Sequence, residues 1–123
     1  MIMNKPWVIL VRRYGGDIRD PSPEQLALAI HEIYVEDLPG MTEADYEEHG
    51  AATLRHGFDE GPVYDLCVSR GGTITLEEWA DQDYETPLHP ERQMRSVPPE
   101  MALNLWRLLA EGSLETVHAQ SWE

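Results

Sequence analysis

The sequence has little of the features that mark disulfide-bonded, membrane-spanning or secreted proteins. It contains one cysteine, Cys67, which excludes an internal disulfide framework and fits a reducing cytoplasm. Its longest apolar run, Trp7–Val11, is far shorter than the ~20 residues of a membrane-spanning helix. The apolar part of the N-terminal stretch is also too short for a secretory signal. We therefore expect a cytoplasmic protein that does not contact a membrane.

Signatures of common catalytic and metal sites are also missing. The 5 histidines show neither H-E-x-x-H nor a comparable spacing. The acids of Asp81–Glu85 do not follow the calcium-binding EF-hand pattern, and no glycine pair belongs to a phosphate-binding loop. Cys67 is flanked on its strand face by Asp65 and Ser69, which favours a packing role over a nucleophilic one. We predict no catalytic residue, no metal site and no cofactor.

Basic residues are scarce, and the protein is strongly acidic. It has 23 Asp and Glu residues against 9 Lys and Arg residues, for a net charge of −14. A field of that sign repels nucleic acid and anionic membranes and attracts basic partners. Solubility alone also accounts for such a charge. The acids are concentrated in Glu43–Glu48 and Glu77–Glu85, which favours a binding role for these two stretches.

The element that the sequence indicates most clearly is a β-hairpin. Val63–Arg70 and Thr73–Trp79 are rich in β-branched and aromatic residues, and two glycines lie between them. A three-residue loop, Arg70–Gly72, gives good strand pairing when Gly72 adopts the left-handed conformation. We therefore predict this loop in preference to a tight two-residue turn.

The loop length determines the register of the hairpin. The three-residue loop sets Val68 opposite Ile74 and Leu66 opposite Leu76, whereas a two-residue turn pairs Val68 with Thr75. The preferred register divides the side chains between two faces. The buried face is predicted to carry Tyr64, Leu66, Val68, Ile74 and Leu76, and the opposite face Cys67, Ser69, Thr75, Glu77 and Trp79.

Two amphipathic helices accompany the hairpin. Ser22 and Gln25 can form a capping box, which predicts a helix over about Ser22–Val35. The run Pro98-Pro99-Glu100 opens a second helix, and Gly112 occupies the position of a C-terminal cap. The apolar stripe of this second helix consists of Ala102, Leu105, Trp106 and Leu109.

The remaining segments predict an α+β fold. Further strands are expected at Trp7–Val11, Ala51–His56, Arg92–Val97 and Leu114–Trp122, a short acidic helix at Thr42–Glu48, and loops at Asp17–Asp20 and Asp81–Pro90. We expect one two-layer domain over residues 1–123. Its mainly antiparallel sheet of four to six strands carries two main helices packed on one face.

The layout of the whole chain resembles that of the small acidic immunity proteins of bacterial polymorphic toxin systems. The segments that carry the resemblance are WVILV, PSPEQ, EHGAATLRHGFDEGPVYDL, the hairpin with RGG, EEWADQDYE, PPEMALNLWRLLAEG and the terminal SWE. Immunity proteins bind a cognate toxin domain and occlude its active site or a nearby surface, without a cofactor. The resemblance implies a binding protein and not an enzyme, and it assigns no individual residue.

Trp79 and Tyr84 are the aromatic residues within the acidic stretch that follows the hairpin, and such residues are typical anchors of protein interfaces. The alternative for Trp79 is a place in the core. We expect the cognate toxin to be basic, for example a nuclease. The expected partner-binding residues are Glu77, Glu78, Trp79, Asp81, Asp83, Tyr84 and Glu85, with Glu43, Asp45, Glu47 and Glu48 as a second patch.

Two other functions stay open at this point. One is a small-molecule hydrolase that uses carboxylate or histidine groups, which needs a concave pocket with converging polar groups. The other is an acidic regulatory module that mimics nucleic acid. Such a module would compete with DNA for many basic proteins, whereas an immunity protein is selective.

Overall fold

The computed structural model describes residues 7–12, 16–34, 51–58, 61–69, 71–80, 86–120 and 122. The predicted acidic helix Thr42–Glu48 lies outside these residues. Statements about the structure below refer to the described residues.

Six strands and three helices make up the described part of the chain. They are β1 (Trp7–Val11), β2 (Asp17–Arg19), α1 (Pro23–Tyr34), β3 (Ala51–Gly57), β4 (Val63–Ser69), β5 (Ile74–Trp79), β6 (Pro87–Met94), α2 (Pro99–Ala110) and α3 (Leu114–His118). The strands form one sheet in the order β2-β1-β3-β4-β5-β6, and each neighbouring pair is antiparallel. Since α1 and α2 pack against this sheet and each other, the predicted α+β fold is confirmed.

Helix α1 begins, and helix α2 begins and ends, where the capping residues predict. Ahead of α1, the Ser22 hydroxyl accepts a hydrogen bond from the Gln25 backbone N–H at 3.2 Å. The Gln25 side-chain oxygen accepts one from the Ser22 N–H at 2.8 Å, which completes the capping box. Helix α2 begins at Pro99, and Gly112 beyond its end has a φ of +80°, as expected of a glycine C-cap.

The hairpin of β4 and β5 has the predicted register. Leu66 lies opposite Leu76, and Val68 lies opposite Ile74. Gly72 has a φ of +87°, within the left-handed region that the three-residue loop requires. Its carbonyl accepts a hydrogen bond from the Val97 N–H at 2.9 Å, which ties the hairpin loop to the chain just before α2.

The hydrophobic core lies between the helices and one face of the sheet. Trp106 of α2 is fully buried, and its indole N–H donates to the Leu66 carbonyl at 3.0 Å. Arg12 directly follows β1, and its guanidinium makes two contacts with the buried Glu32 carboxylate of α1, at 2.5 and 3.2 Å. The predicted buried face of the hairpin is correct, with Tyr64 half-buried at its end.

The C-terminal segment was predicted as a strand, and this is wrong, because it forms the short helix α3. Leu114 and Val117 are three residues apart, so a helical turn places both against the core, and Val117 is buried. The indole N–H of Trp122 donates to the Val117 carbonyl at 2.8 Å, so the chain folds back on α3.

Two predicted loops contain edge strands. Asp17–Arg19 forms β2, and β6 begins at Pro87 within the predicted loop Asp81–Pro90. Within the described part of the chain each of these strands pairs on one side only, and an edge strand tolerates proline because one of its sides makes no ladder hydrogen bonds. No helix among the described residues has the length and apolar character needed to cross a membrane.

We predict that Gly72→Ala destabilises the protein more than Gly71→Ala. Both residues have positive φ, so each alanine costs about 1–2 kcal/mol of backbone strain. A Cβ at position 72 would also lie 2.8 Å from the Val97 carbonyl oxygen, whereas one at position 71 meets nothing within 4 Å. Urea denaturation should show a further loss of roughly 1–3 kcal/mol for Gly72→Ala. Equal losses would contradict this role of the loop.

Candidate functional site

The sheet face opposite the helices, hereafter the open face, carries a row of large side chains at one end. Trp7, Gly57, Val63 and Trp79 lie opposite one another on four consecutive strands. The Trp7 ring covers Gly57 so closely that an added Cβ would come within 2.6 Å of it. Val63 is fully buried between its neighbours, while both tryptophans are half-buried. The end of the open face therefore presents two partly exposed indole rings.

The next row of the open face is charged. Arg55, Asp65 and Glu77 lie opposite one another on β3, β4 and β5. The Arg55 Nε lies 3.5 Å from Asp65 Oδ2, while Glu77 places a second carboxylate beside Asp65. Burial raises the pKa of Asp65 to about 6; Arg55 opposes this rise, and the charge of Glu77 adds to it. An acid is thus held on the open face next to a like charge.

A pocket opens beside Trp79 at the edge of the sheet. Its volume is about 390 Å³, and its lining residues are Glu77, Glu78, Trp79, Pro87, Pro90 and Glu91. Strand β5 supplies one wall and the edge strand β6 the other, with an irregular register between them. The Ala80 N–H donates to the Thr86 carbonyl at 2.8 Å and holds the two strands together at this end. We call this cavity the Trp79 pocket.

The structure separates the predicted partner-binding residues. Glu77 and Trp79 lie partly exposed on the open face and line the Trp79 pocket. Glu78 also borders this pocket, but it is only 3% exposed, because it has the same parity as Leu76 and its side chain points towards the helices. The other predicted residues, Asp81, Asp83, Tyr84, Glu85, Glu43, Asp45, Glu47 and Glu48, lie outside the described residues.

On the helix-covered side, Glu78 belongs to a cluster of titratable groups. His56, Tyr64 and Glu78 lie opposite one another on β3, β4 and β5. His118 of α3 forms a hydrogen bond with Glu78 through Nε2 and Oε1. Its ring also lies edge-on to Tyr64, with centroids 6.4 Å apart. Burial and the charge of Glu78 raise the pKa of the Tyr64 hydroxyl.

His56 is the most deeply buried histidine of this cluster. It is 1% exposed, and neither ring nitrogen has a hydrogen-bond partner in the described part of the chain. Burial lowers its pKa, which favours the neutral ring. Its ring packs against Phe58 and Tyr64, with centroids 5.7 and 6.3 Å away. His56 and His118 therefore both lie next to the Tyr64 ring.

The pair of His118 and Glu78 has the composition of an acid–base dyad, but its setting points to a structural role. His118 is partly exposed, yet it lines neither the Trp79 pocket nor a second cavity between α1 and α2. Within the described ranges, no group of three or more His, Cys, Asp or Glu side chains is placed to hold a metal ion. The pair fastens α3 to the sheet.

Sequence reasoning missed two features of this site. Asp65 stands within the β4 pattern, but its burial depends on neighbours from β3 and β5, which no local signal reveals. The inward position of Glu78 could have been read from the alternation Ile74, Leu76, Glu78, although its charge favours a surface position. Compared with protein families, curated proteins and solved structures, the chain matches none.

We predict that His118→Ala lowers the free energy of unfolding at neutral pH by roughly 2 kcal/mol, because it leaves the buried Glu78 carboxylate without its partner ring. His31→Ala is the matched control, since His31 is exposed in the last turn of α1 and should change stability by less than about 0.5 kcal/mol. Adding Glu78→Gln to His118→Ala should restore part of the loss. Equal stability of the two alanine variants in urea would refute the role given to the pair.

We predict that Asp65→Asn changes how stability depends on pH. The folded protein holds the Asp65 proton with a pKa of about 6, above the ordinary value of 3.8. Asp65 therefore favours folding at low pH, and this contribution is lost as the pH rises through about 6. The variant has no carboxyl group to ionise at position 65. The difference between its free energy of unfolding and that of the parent should therefore change in favour of the variant by about 2 kcal/mol between about pH 4 and pH 7.5.

The exposed Asp17 provides the matched control, because Asp17→Asn removes the same charge without a buried site. Denaturant curves at several pH values measure both variants against the parent. A stability difference between Asp65→Asn and the parent that stays constant with pH would contradict the assignment.

Proposed function

We propose that this protein is a cytoplasmic immunity protein that binds a basic toxin domain through the open face of its sheet. The observation that carries the proposal is the position of Trp79 and Glu77. They lie partly exposed, beside a pocket, on the sheet face opposite the helices.

The composition of this face supports a protein partner. Indole rings supply much of the binding energy at protein interfaces, because they remove large apolar areas from water. Trp7 and Trp79 flank the buried Val63 at one end of the open face. Binding would cover both rings, and this gain does not depend on any catalytic group.

The charge of the protein supports a basic partner. The net charge is −14, and Glu77 lies partly exposed on the open face. Long-range attraction increases the rate of encounter with a cationic surface, and contact with acids at the interface selects the orientation. A nuclease-type toxin, which must bind polyanionic substrate, has such a surface. The layout shared with immunity proteins agrees with this partner.

The internal arrangement supports a rigid binding surface. The Glu78 carboxylate, next in sequence to both contact residues, is held by His118 on the opposite side of the sheet. Trp106 joins α2 to the middle of β4 through the Leu66 carbonyl. Because contacts on the helix side of the sheet hold β5, Glu77 and Trp79 stay in place, and little conformational entropy is lost on binding.

Genes of this type lie directly after the gene of their toxin, and this neighbour provides the test. We expect the toxin domain encoded by the preceding gene to lose activity and to form a stoichiometric complex with the purified protein. Cells that express the toxin domain should survive only when this protein is co-expressed. Association should slow as ionic strength rises, because salt screens the attraction between the two charges.

A non-cognate toxin domain of similar net charge is the control, and it should remain active. If an excess of the protein leaves the cognate toxin active and free in solution, the proposed function is wrong. If every basic protein tested is bound equally and DNA competes, the nucleic-acid-mimicking module is the better description.

A further inference from the structure

The Trp79 pocket combines apolar walls with acidic groups. Trp79, Pro87 and Pro90 supply the apolar surface, and Glu77 and Glu91 supply the carboxylates. Its volume of about 390 Å³ is enough for one long side chain but small for a folded element. The pocket therefore fits a side chain with an apolar stem and a charged end.

The walls of the pocket come from the two paired strands β5 and β6. Trp79 lies opposite Pro87 in the ladder of β5 and β6. The two prolines have restricted backbones, so this edge loses little freedom when the pocket is filled. Pro90 also lacks an N–H group, which makes this edge a poor template for an added β-strand. The edge is therefore better suited to receiving a side chain than to strand addition.

The chemistry of the pocket selects a cation, and arginine fits it best. A positive group over an indole ring gains a cation–π interaction, and nearby carboxylates strengthen the attraction. Arginine has a planar guanidinium that can stack on Trp79 while its N–H groups reach Glu77 or Glu91. Lysine offers only a compact charge that is more strongly hydrated. Neither Glu77 nor Glu91 forms an ion pair with a cation in the described part of the chain.

We propose that the Trp79 pocket receives an arginine side chain of the toxin domain, an assignment that rests on the proposed function. The arginine stacks on Trp79 and is held by Glu77 and Glu91. The arginine is the central anchor of the complex. The other acids of the protein act mainly on the rate of encounter.

The first experiment needs no toxin. The indole N–H signals of the ¹⁵N-labelled protein are followed by NMR during titration with N-acetyl-arginine amide, and the Trp79→Phe variant identifies the Trp79 signal among those of the 4 tryptophans. We expect a saturable shift of the Trp79 signal at millimolar ligand, with Trp106 unaffected. The neutral isostere N-acetyl-citrulline amide should bind at least several-fold more weakly, and so should the lysine analogue.

The second experiment measures the affinity of the toxin domain for two variants of equal net charge. Glu77→Gln/Glu91→Gln removes both acids of the pocket. Glu111→Gln/Glu115→Gln removes two exposed acids at the helix side. We expect the first pair to weaken binding by roughly tenfold or more, and the second by less than about threefold. Each variant is first shown to be folded under the assay conditions, with a urea midpoint no lower than that of the parent.

The outcomes separate this inference from the proposed function. No shift at Trp79, or equal binding of arginine and citrulline amides, overturns the pocket assignment. Tight toxin binding that both variant pairs weaken equally also overturns it, while leaving the immunity function intact. A clear arginine response with no toxin binding supports the pocket and rejects the proposed function.

Discussion

The register between β4 and β5 decides the side of the sheet on which every group of the site lies. Leu66 opposite Leu76 places the apolar side chains under the helices, and the same alternation sends Glu78 inward and Trp79 outward. A shift of one residue would exchange all of these positions. Gly72 fixes the register through its left-handed backbone and its hydrogen bond from Val97.

Adjacent acids on β5 consequently have different physical roles. A buried carboxylate is costly unless it is paired, and Glu78 is paired with His118, which makes the C-terminal helix part of the fold. Glu77 faces the other side, where it raises the pKa of Asp65 and so costs stability at neutral pH. On the proposed function, a cationic partner would offset the repulsion between these two carboxylates.

Much of the fold could be predicted because its signals are local. The capping box at Ser22, the glycines of the hairpin and the alternation of β4 each determine a short segment. The edge strands could not be predicted, because β2 and β6 depend on pairing with neighbours and carry charges or prolines. The Trp79 pocket was missed for the same reason, since two of its lining residues, Pro87 and Pro90, lie in a segment that the sequence indicated as loop. The helix of Leu114–His118 is set by burial of Val117 against the core.

The central claim is that the open face meets the toxin while the helix side remains in solvent. Hydroxyl-radical footprinting of the free protein and of its complex with the toxin domain tests this most directly. The account predicts that oxidation of Trp79 and of Pro87–Glu91 falls strongly on binding, while the exposed Leu28 of α1 reacts as before. Unchanged oxidation of Trp79 together with protection of Leu28 would contradict it.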